Sequence, residues 1–276
     1  MKNVDMQQVK ESAEHLKKVF KSEIPEIAVI LGSGLGDFSK VVEVVETVEY
    51  KDIPGFPVST VAGHAGALSI AKVGANKSVL LMRGRFHPYE GYTPQQVTFP
   101  VAVMAALGIK KLIVSNAAGG LNPSFNKGDI MIINDHINLL GGHPLIGKND
   151  DAVGPRFLDM TEPYSHQLIE VAKGVAKKLN ISYQEGCYVG FSGPTYETKS
   201  EVKFARVIGG DTVGMSTVWE TIIANYFKIE VLGFSCVTNM ATGIADKKHD
   251  HHDVVEVANR VSSTFSNWVK ETIIAM

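Results

Sequence analysis

Ile27-Ala28-Val29-Ile30-Leu31-Gly32-Ser33-Gly34-Leu35-Gly36-Asp37 is the stretch on which the fold turns. Five apolar residues, three of them β-branched, run straight into a glycine cluster, the pattern of a short buried strand that ends in a tight turn. Immediately upstream, Val9, Ala13, Leu16, Val19 and Phe20 fall on one helical face. A helix followed by a buried strand is the opening of an α/β fold. In such folds ligands bind beyond the carboxyl ends of the strands, where Gly32 to Asp37 lie. A dinucleotide fingerprint would need glycine where Asp37 stands, and a P-loop would need a Lys-Ser/Thr pair that does not follow. What remains is a turn whose amides, with the Ser33 hydroxyl, suit an anion. An unoccupied strand-to-helix turn is the alternative.

Outward from this stretch the helix and strand periods keep alternating. Further strands are expected at Val79 to Arg83, Lys111 to Ser115, Ile130 to Ile133, Gly186 to Phe191 and Val231 to Val237. Helices are expected at Pro94 to Leu107, His166 to Leu179, Lys199 to Ile208, Val218 to Phe227 and Val254 to Ile274. The reading is a single α/β domain over residues 1–276, with a central mixed or parallel sheet flanked by helices. No Pro/Gly/Ser-rich linker, repeat or low-complexity segment divides it. The Gly/Pro-rich interval Gly141 to Pro163 is long for a connection inside a domain, and such loops are often functional.

Composition excludes several classes. Of 276 residues, 45% are hydrophobic and 20% charged, and the formal net charge is -2, with the basic residues dispersed. That is a globular enzyme's profile, without the electrostatic footprint that a nucleic-acid backbone or anionic membrane requires. Two cysteines, Cys187 and Cys236, stand far apart in apolar runs, so buried free thiols and a reducing cytoplasm are expected. The charged N-terminal segment has no apolar signal core, and no run is long enough to span a bilayer; neither export nor membrane insertion is expected.

Four more sites carry chemistry, and all but the Val213 to Thr217 half of the last lie at the end of an expected strand. Arg83-Gly84-Arg85-Phe86-His87-Pro88-Tyr89-Glu90-Gly91-Tyr92 concentrates arginines, a histidine and tyrosines suited to phosphate and sugar, though a salt-bridged surface loop would look the same. Ser115-Asn116-Ala117-Ala118-Gly119-Gly120 lets backbone approach a ligand closely, or is simply a constrained turn. In Gly193-Pro194-Thr195-Tyr196-Glu197-Thr198 a carboxylate beside an aromatic ring suits a stacked base, or else caps a helix. The last pairs Val213-Gly214-Met215-Ser216-Thr217 with Thr238-Asn239-Met240-Ala241-Thr242-Gly243, in which methionine is usually core filler.

Together these segments resemble the trimeric purine nucleoside phosphorylase family. The resemblance runs in order over nearly the whole chain, and it includes Gly63-His64-Ala65-Gly66, Gly128-Asp129-Ile130 and Asp135-His136-Ile137-Asn138. It implies phosphorolysis of purine nucleosides without a cofactor or metal, inorganic phosphate being the co-substrate. Ser33, Arg85, His87, Ser216, Asn116 and Ala117 match the phosphate site, and His64 lies between phosphate and ribose. Tyr89 and Met215 match the ribose site. Ala118, Gly119, Tyr196, Glu197, Val213, Gly214 and Asn239 match the base site, and His87, Glu197 and Asn239 carry the catalysis. The resemblance also implies a homotrimer in which Phe157 reaches a neighbouring subunit's sugar.

Within the resemblance, Asn239 decides the base. Methylthioadenosine phosphorylases carry aspartate there to accept from a 6-amino group, whereas asparagine can donate to a 6-oxo group. Guanine and hypoxanthine nucleosides are therefore expected. A methylthioadenosine phosphorylase and a non-catalytic purine-binding module are the rivals; Asn239 argues against the first and the retained phosphate-site residues against the second. Met240 and Tyr196 depart from common family residues. The resemblance puts the histidine for the ribose 5'-hydroxyl within His249-Asp250-His251-His252-Asp253, as His251 or His252; Asp250 and Asp253 resemble a capping pair that puts His251 at the first helical position, which favours His251 over His252. A divalent metal on that tract is disfavoured by its lack of helical ligand spacing.

Overall fold

A computed structural model describes residues 4–32, 35, 38–58, 65–244 and 251–276, with only the backbone of 251–253 considered. Of the first glycine turn, Ser33, Gly34, Gly36 and Asp37 lie outside the described residues, as do His64, His249 and Asp250.

Among the described residues nine strands form one mixed sheet. They are β1 Ile27–Leu31, β2 Glu43–Glu49, β3 Ala67–Val73, β4 Lys77–Arg83, β5 Lys111–Gly120, β6 Ile130–Leu139, β7 Gln184–Phe191, β8 Thr212–Gly214 and β9 Glu230–Met240. The order is β2-β3-β4-β1-β5-β8-β7-β6-β9, and β9 pairs again with β5. Strands β5, β8, β7, β6 and β9 therefore close into a ring, and β1 to β4 extend from it as an open wing. Closure follows from the length of β5. Its first four residues pair in parallel with β1, Gly119 and Gly120 pair antiparallel with β8, and its other edge pairs with β9 throughout.

Small residues make the closure possible. A Cβ on Gly120 would fall 2.8 Å from the Met240 sulfur, and one on Gly119 would fall 3.3 Å from Val213. The segment Asn116 to Gly120, expected beyond the end of a strand, is thus strand. Its run of alanine and glycine resembles a turn in sequence but serves close packing inside a small ring. Likewise β6 runs on to Leu139 and β9 to Met240, past the ends expected at Ile133 and Val237.

The helices are α1 Met6–Val19, α2 Phe38–Val41, α3 Pro94–Leu107, α4 His166–Leu179, α5 Lys199–Val207, α6 Val218–Tyr226 and α7 His251–Ala275. They cover the sheet: α1 packs on α3, α3 on α6, and α4 on α7, while α6 and α7 lie against β9. Four of the five expected helices fall within one residue at each end, because their caps are written locally. Thr93 and Gln96 box the start of α3, Gly108 ends it at φ 95°, and Ser165 caps α4. In α1, Val9, Ala13 and Leu16 are buried, but Val19 is 40% exposed. Phe20 is buried as an extended residue after the helix has ended.

Three strands and α2 are absent from the expected set. β2 has charged residues on an exposed edge strand, β8 is three residues long, and α2 is a single turn. No regular element occupies 140–165, as the composition of Gly141 to Pro163 indicated. Cys236 is buried and Cys187 only partly so, and both are free thiols. Among the described residues no helix is long and apolar enough to cross a membrane.

Candidate active site

A cleft of about 390 Å³ opens at the carboxyl ends of the ring strands. Fourteen of the residues expected in the site line it, contributed by β5, β8, β9 and the segments after β4, β7 and β8.

At one end lies a cationic and hydroxyl-rich cluster. Gly84, at φ 111°, turns the chain out of β4 and sends Arg85 back inward, where it is 2% exposed. Its NH1 donates to the Ser115 carbonyl and, at 3.2 Å, to Ser216 Oγ. Gly32 backs onto this arrangement; a Cβ there would sit 2.1 Å from the Ser115 carbonyl oxygen and 3.0 Å from Arg85 NH1. The Glu90 carboxylate accepts the His87 backbone N–H at 2.8 Å and lies 3.0 Å from Nδ1. That fixes the imidazole, with Nε2 turned the other way. The Tyr89 ring stacks on it, centroids 4.6 Å apart and planes 16° from parallel. Burial pushes the Tyr89 phenol up to about 12, so it stays a neutral donor and acceptor. Asn116 and Ala117 complete this end.

Ala118, Gly119, Val213, Gly214 and Met215 supply the apolar part of the lining, and Tyr196 and Asn239 line the same cleft. Asn239 owes its direction to a bulge: Ala118 pairs with Val237 but Gly119 pairs with Asn239, leaving Thr238 extra. The Thr238 hydroxyl lies 3.2 Å from Asn239 Oδ1 and 3.3 Å from the Ala118 carbonyl. Asn239 Nδ2 comes 3.4 Å from the Cβ position of Gly119. Glu197 is not the cap of α5. Thr198 caps that helix, with Glu201 accepting the Thr198 N–H at 2.7 Å, while Glu197 lines the cleft. Burial raises the Glu197 carboxyl above the usual carboxylate range, and the nearby charge of Glu201 adds to this.

Beneath the wall, the turn from β8 into α6 is strained. Thr217 has φ 70° and ψ -47°, and the Val218 N–H donates to the Ser216 carbonyl at 2.7 Å, a γ-turn of the rare positive-φ form. Asn116 Nδ2 donates to Thr217 Oγ1 at 2.9 Å, and the Ser216 N–H donates to the buried Tyr188 hydroxyl at 3.3 Å. Glu220, on the first turn of α6, holds Arg85 from behind: Nε at 3.1 Å and NH2 at 3.0 Å.

Not every expected residue is in the cleft. Ser33 and His64 lie outside the described residues, as does the side chain of His251, whose backbone opens α7 at the expected first position. Phe157 is 89% exposed and lies beside a separate groove with His143, Ile146 and Met160. Pro194, Thr238 and Val254 line the cleft without having been expected. Pro194 and Thr238 adjoin expected residues in the quoted motifs, whereas only the tertiary position of α7 brings Val254 there. Among the described residues no group of three His, Cys, Asp or Glu side chains is arranged to hold a metal ion.

Comparison with known proteins agrees with this geometry. Residues 26–274 match the family described as the Phosphorylase superfamily. The chain is 51% identical over 265 residues to purine nucleoside phosphorylase 1 of Geobacillus stearothermophilus, covering 96% of each chain. The crystal structure of Schistosoma mansoni purine nucleoside phosphorylase in complex with adenosine superposes with a TM-score of 0.92 at 38% identity, covering 98% of both chains. A crystal structure of Schistosoma mansoni purine nucleoside phosphorylase in complex with inosine gives 0.92 at 37% identity, over 98% of this chain and 97% of that one. On sequence and fold alike, this chain belongs to the purine nucleoside phosphorylase family of the phosphorylase superfamily.

Proposed function

We propose that the chain catalyses the reversible phosphorolysis of 6-oxopurine ribonucleosides and deoxyribonucleosides, such as guanosine and inosine, to the free base and the sugar 1-phosphate. One observation carries the reading: a single cleft is lined both by Arg85, His87, Ser216 and Asn116, side chains suited to an anion, and by Ala118, Gly119, Val213, Glu197 and Asn239, groups suited to a purine. Phosphate sits against the first set and serves as co-substrate; no cofactor or metal is needed. Ser33 and His64 join it there.

The sugar lies between, against Tyr89 and Met215, with His251 at its 5'-hydroxyl. A phosphate oxygen attacks the anomeric carbon from the face opposite the base, so configuration inverts and no covalent enzyme intermediate forms. The carbon–nitrogen bond breaks, and its electron pair passes to the purine. Two charges develop at once, and the site must meet both. The dianion lies beneath the oxocarbenium-like sugar. At the far side Asn239 Nδ2 donates to N7 and the developing O6 charge, an arrangement supported by a Thr238 hydroxyl within reach of Oδ1. Glu197 accepts from N1–H and from a 2-amino group. Tyr196, with Val213, Gly214, Ala118 and Gly119, encloses the ring.

The assembly is a homotrimer in which the exposed Phe157 of one subunit closes its neighbour's sugar site. The free cysteines suit a reducing cytoplasm. The test is product formation from guanosine, inosine, adenosine and methylthioadenosine, each with and without phosphate. Guanine and hypoxanthine released only with phosphate, with little adenine, is the expected result. Cleavage without phosphate means a hydrolase, and preferential cleavage of methylthioadenosine overturns the base assignment.

A further inference from the structure

Glu220 belongs to no subsite named above, yet it is 2% exposed, and its carboxylate accepts two hydrogen bonds and makes one further ion-pair contact. Oε1 accepts from Arg85 Nε at 3.1 Å and Oε2 accepts from the Thr217 N–H at 2.9 Å, while Oε2 also lies 3.0 Å from Arg85 NH2 as an ion pair. The two contacts to Arg85 place both carboxylate oxygens along one edge of the guanidinium, one by a charge-assisted hydrogen bond and one by charge alone, and so hold it in position. The bond to Thr217 holds the amide of a residue that adjoins Ser216 and stands at positive φ without being glycine. Neither grip is casual. A β-branched residue at φ 70° persists only where its surroundings over-determine it, and the bonds that do so come from Glu220 and Asn116.

The consequence falls on the pair that faces the cleft. Arg85 NH1 and Ser216 Oγ are 3.2 Å apart, and each is anchored one step behind by the same carboxylate: Arg85 directly, Ser216 through the adjoining turn. We infer that Glu220 is the positioning residue of the phosphate subsite, setting the spacing of Arg85 and Ser216 so that both meet one anion without rearrangement. An acid at the third position of a helix ordinarily serves only the helix start. Here the same group reaches across the fold to the arginine, which a cap has no need to do.

This inference rests on the proposed phosphorolysis, and the experiment separates the two. Glu220→Gln keeps the length and puts an amide N–H against a donor; Glu220→Asp keeps the charge and withdraws it by one methylene. The aspartate variant retains a buried partner for the arginine, so it reports even if the glutamine variant does not fold. For each, the KM for phosphate and for inosine is measured, together with the phosphate concentration that half-saturates the rise in melting temperature of the protein without nucleoside. Both variants are expected to need about tenfold more phosphate in both assays, the loss of one charge-assisted contact, with the inosine KM within about twofold of wild type. An unchanged phosphate requirement, or phosphate and inosine KM values rising in parallel, overturns the inference and leaves Glu220 a structural acid. Wild-type protein that neither turns over with phosphate nor is stabilised by it overturns the phosphorolysis reading, and this inference with it.

Discussion

Glu197 shows how a binding group can cost the protein stability. Its carboxyl is buried and raised above 4.5, so between that value and its folded pKa the native state holds more protons than the unfolded chain. Stability then falls as pH rises through that window, and the cost persists at neutral pH. Glu197→Gln should therefore melt higher than wild type at pH 7 while kcat/KM for guanosine drops about 100-fold, because the acceptor for N1–H is gone. Unfolding scans beside steady-state kinetics check this; a variant both active and destabilised would remove Glu197 from the base site. Asn239 is the complementary case. Asn239→Asp places an acceptor where a 6-oxo group needs a donor, so guanosine kcat/KM should fall roughly 10–100-fold and adenosine turnover should rise. Intact guanosine turnover with no gain on adenosine would mean that the base is discriminated elsewhere.

Between elements, the contact that matters most is where the chain leaves β1 alongside its parallel neighbour β5. Gly32 ends β1 against the carbonyl of Ser115, which is the acceptor of an Arg85 N–H. Gly32→Ala should destabilise the fold by about 1–3 kcal/mol, since backbone and not a flexible side chain must yield. It should also weaken phosphate binding more than inosine binding; equal losses would mean that the strain stays out of the site. The elements themselves were largely legible in sequence because their signals are local. A capping box at Thr93 and Gln96, a glycine stop at Gly108 and the apolar run Ile27 to Leu31 each suffice for one boundary. What sequence hides is pairing. Asn116 to Gly120 resembles a turn until β8 and β9 are seen on either side of it, and the bulge at Thr238 exists only in the register between two strands. Thr217 and Glu220 are spaced as a capping box, so the carboxylate is visible in sequence as a helix start. Its second partner, Arg85, is 135 positions away. Most of the site was readable through the family resemblance, whereas the network behind it was not.

For the whole molecule, acid sensitivity should centre on His136. Burial lowers its pKa to about 4, with the Asp135 charge opposing and His143 adding to the shift, and its Nδ1 lies 3.1 Å from the buried Tyr164 hydroxyl. The unfolded chain takes up a proton below about 6.5 and the folded one does not, so stability is lost as pH falls from about 6.5 towards 4. The loss should be roughly 2 kcal/mol between pH 7 and 5. Denaturant midpoints should fall over this range in wild type and less in His136→Asn; parallel curves would assign the loss to other groups. Assembly makes a separate prediction. If Phe157 closes a neighbour's sugar site, Phe157→Ala should raise the nucleoside KM several-fold, leave the phosphate KM alone and keep the assembly mass; an unchanged nucleoside KM would leave it a surface residue.

Ring closure reaches beyond architecture. Strand β9 has a hydrogen-bonded neighbour on each side and cannot release its amides singly, so the N–H groups of Phe234, Ser235 and Cys236, paired with both β5 and β6, should exchange with solvent deuterium only through global opening. The base site is lined from β5 and β9. It cannot melt ahead of the protein, and on heating, purine recognition and the fold should vanish at one temperature.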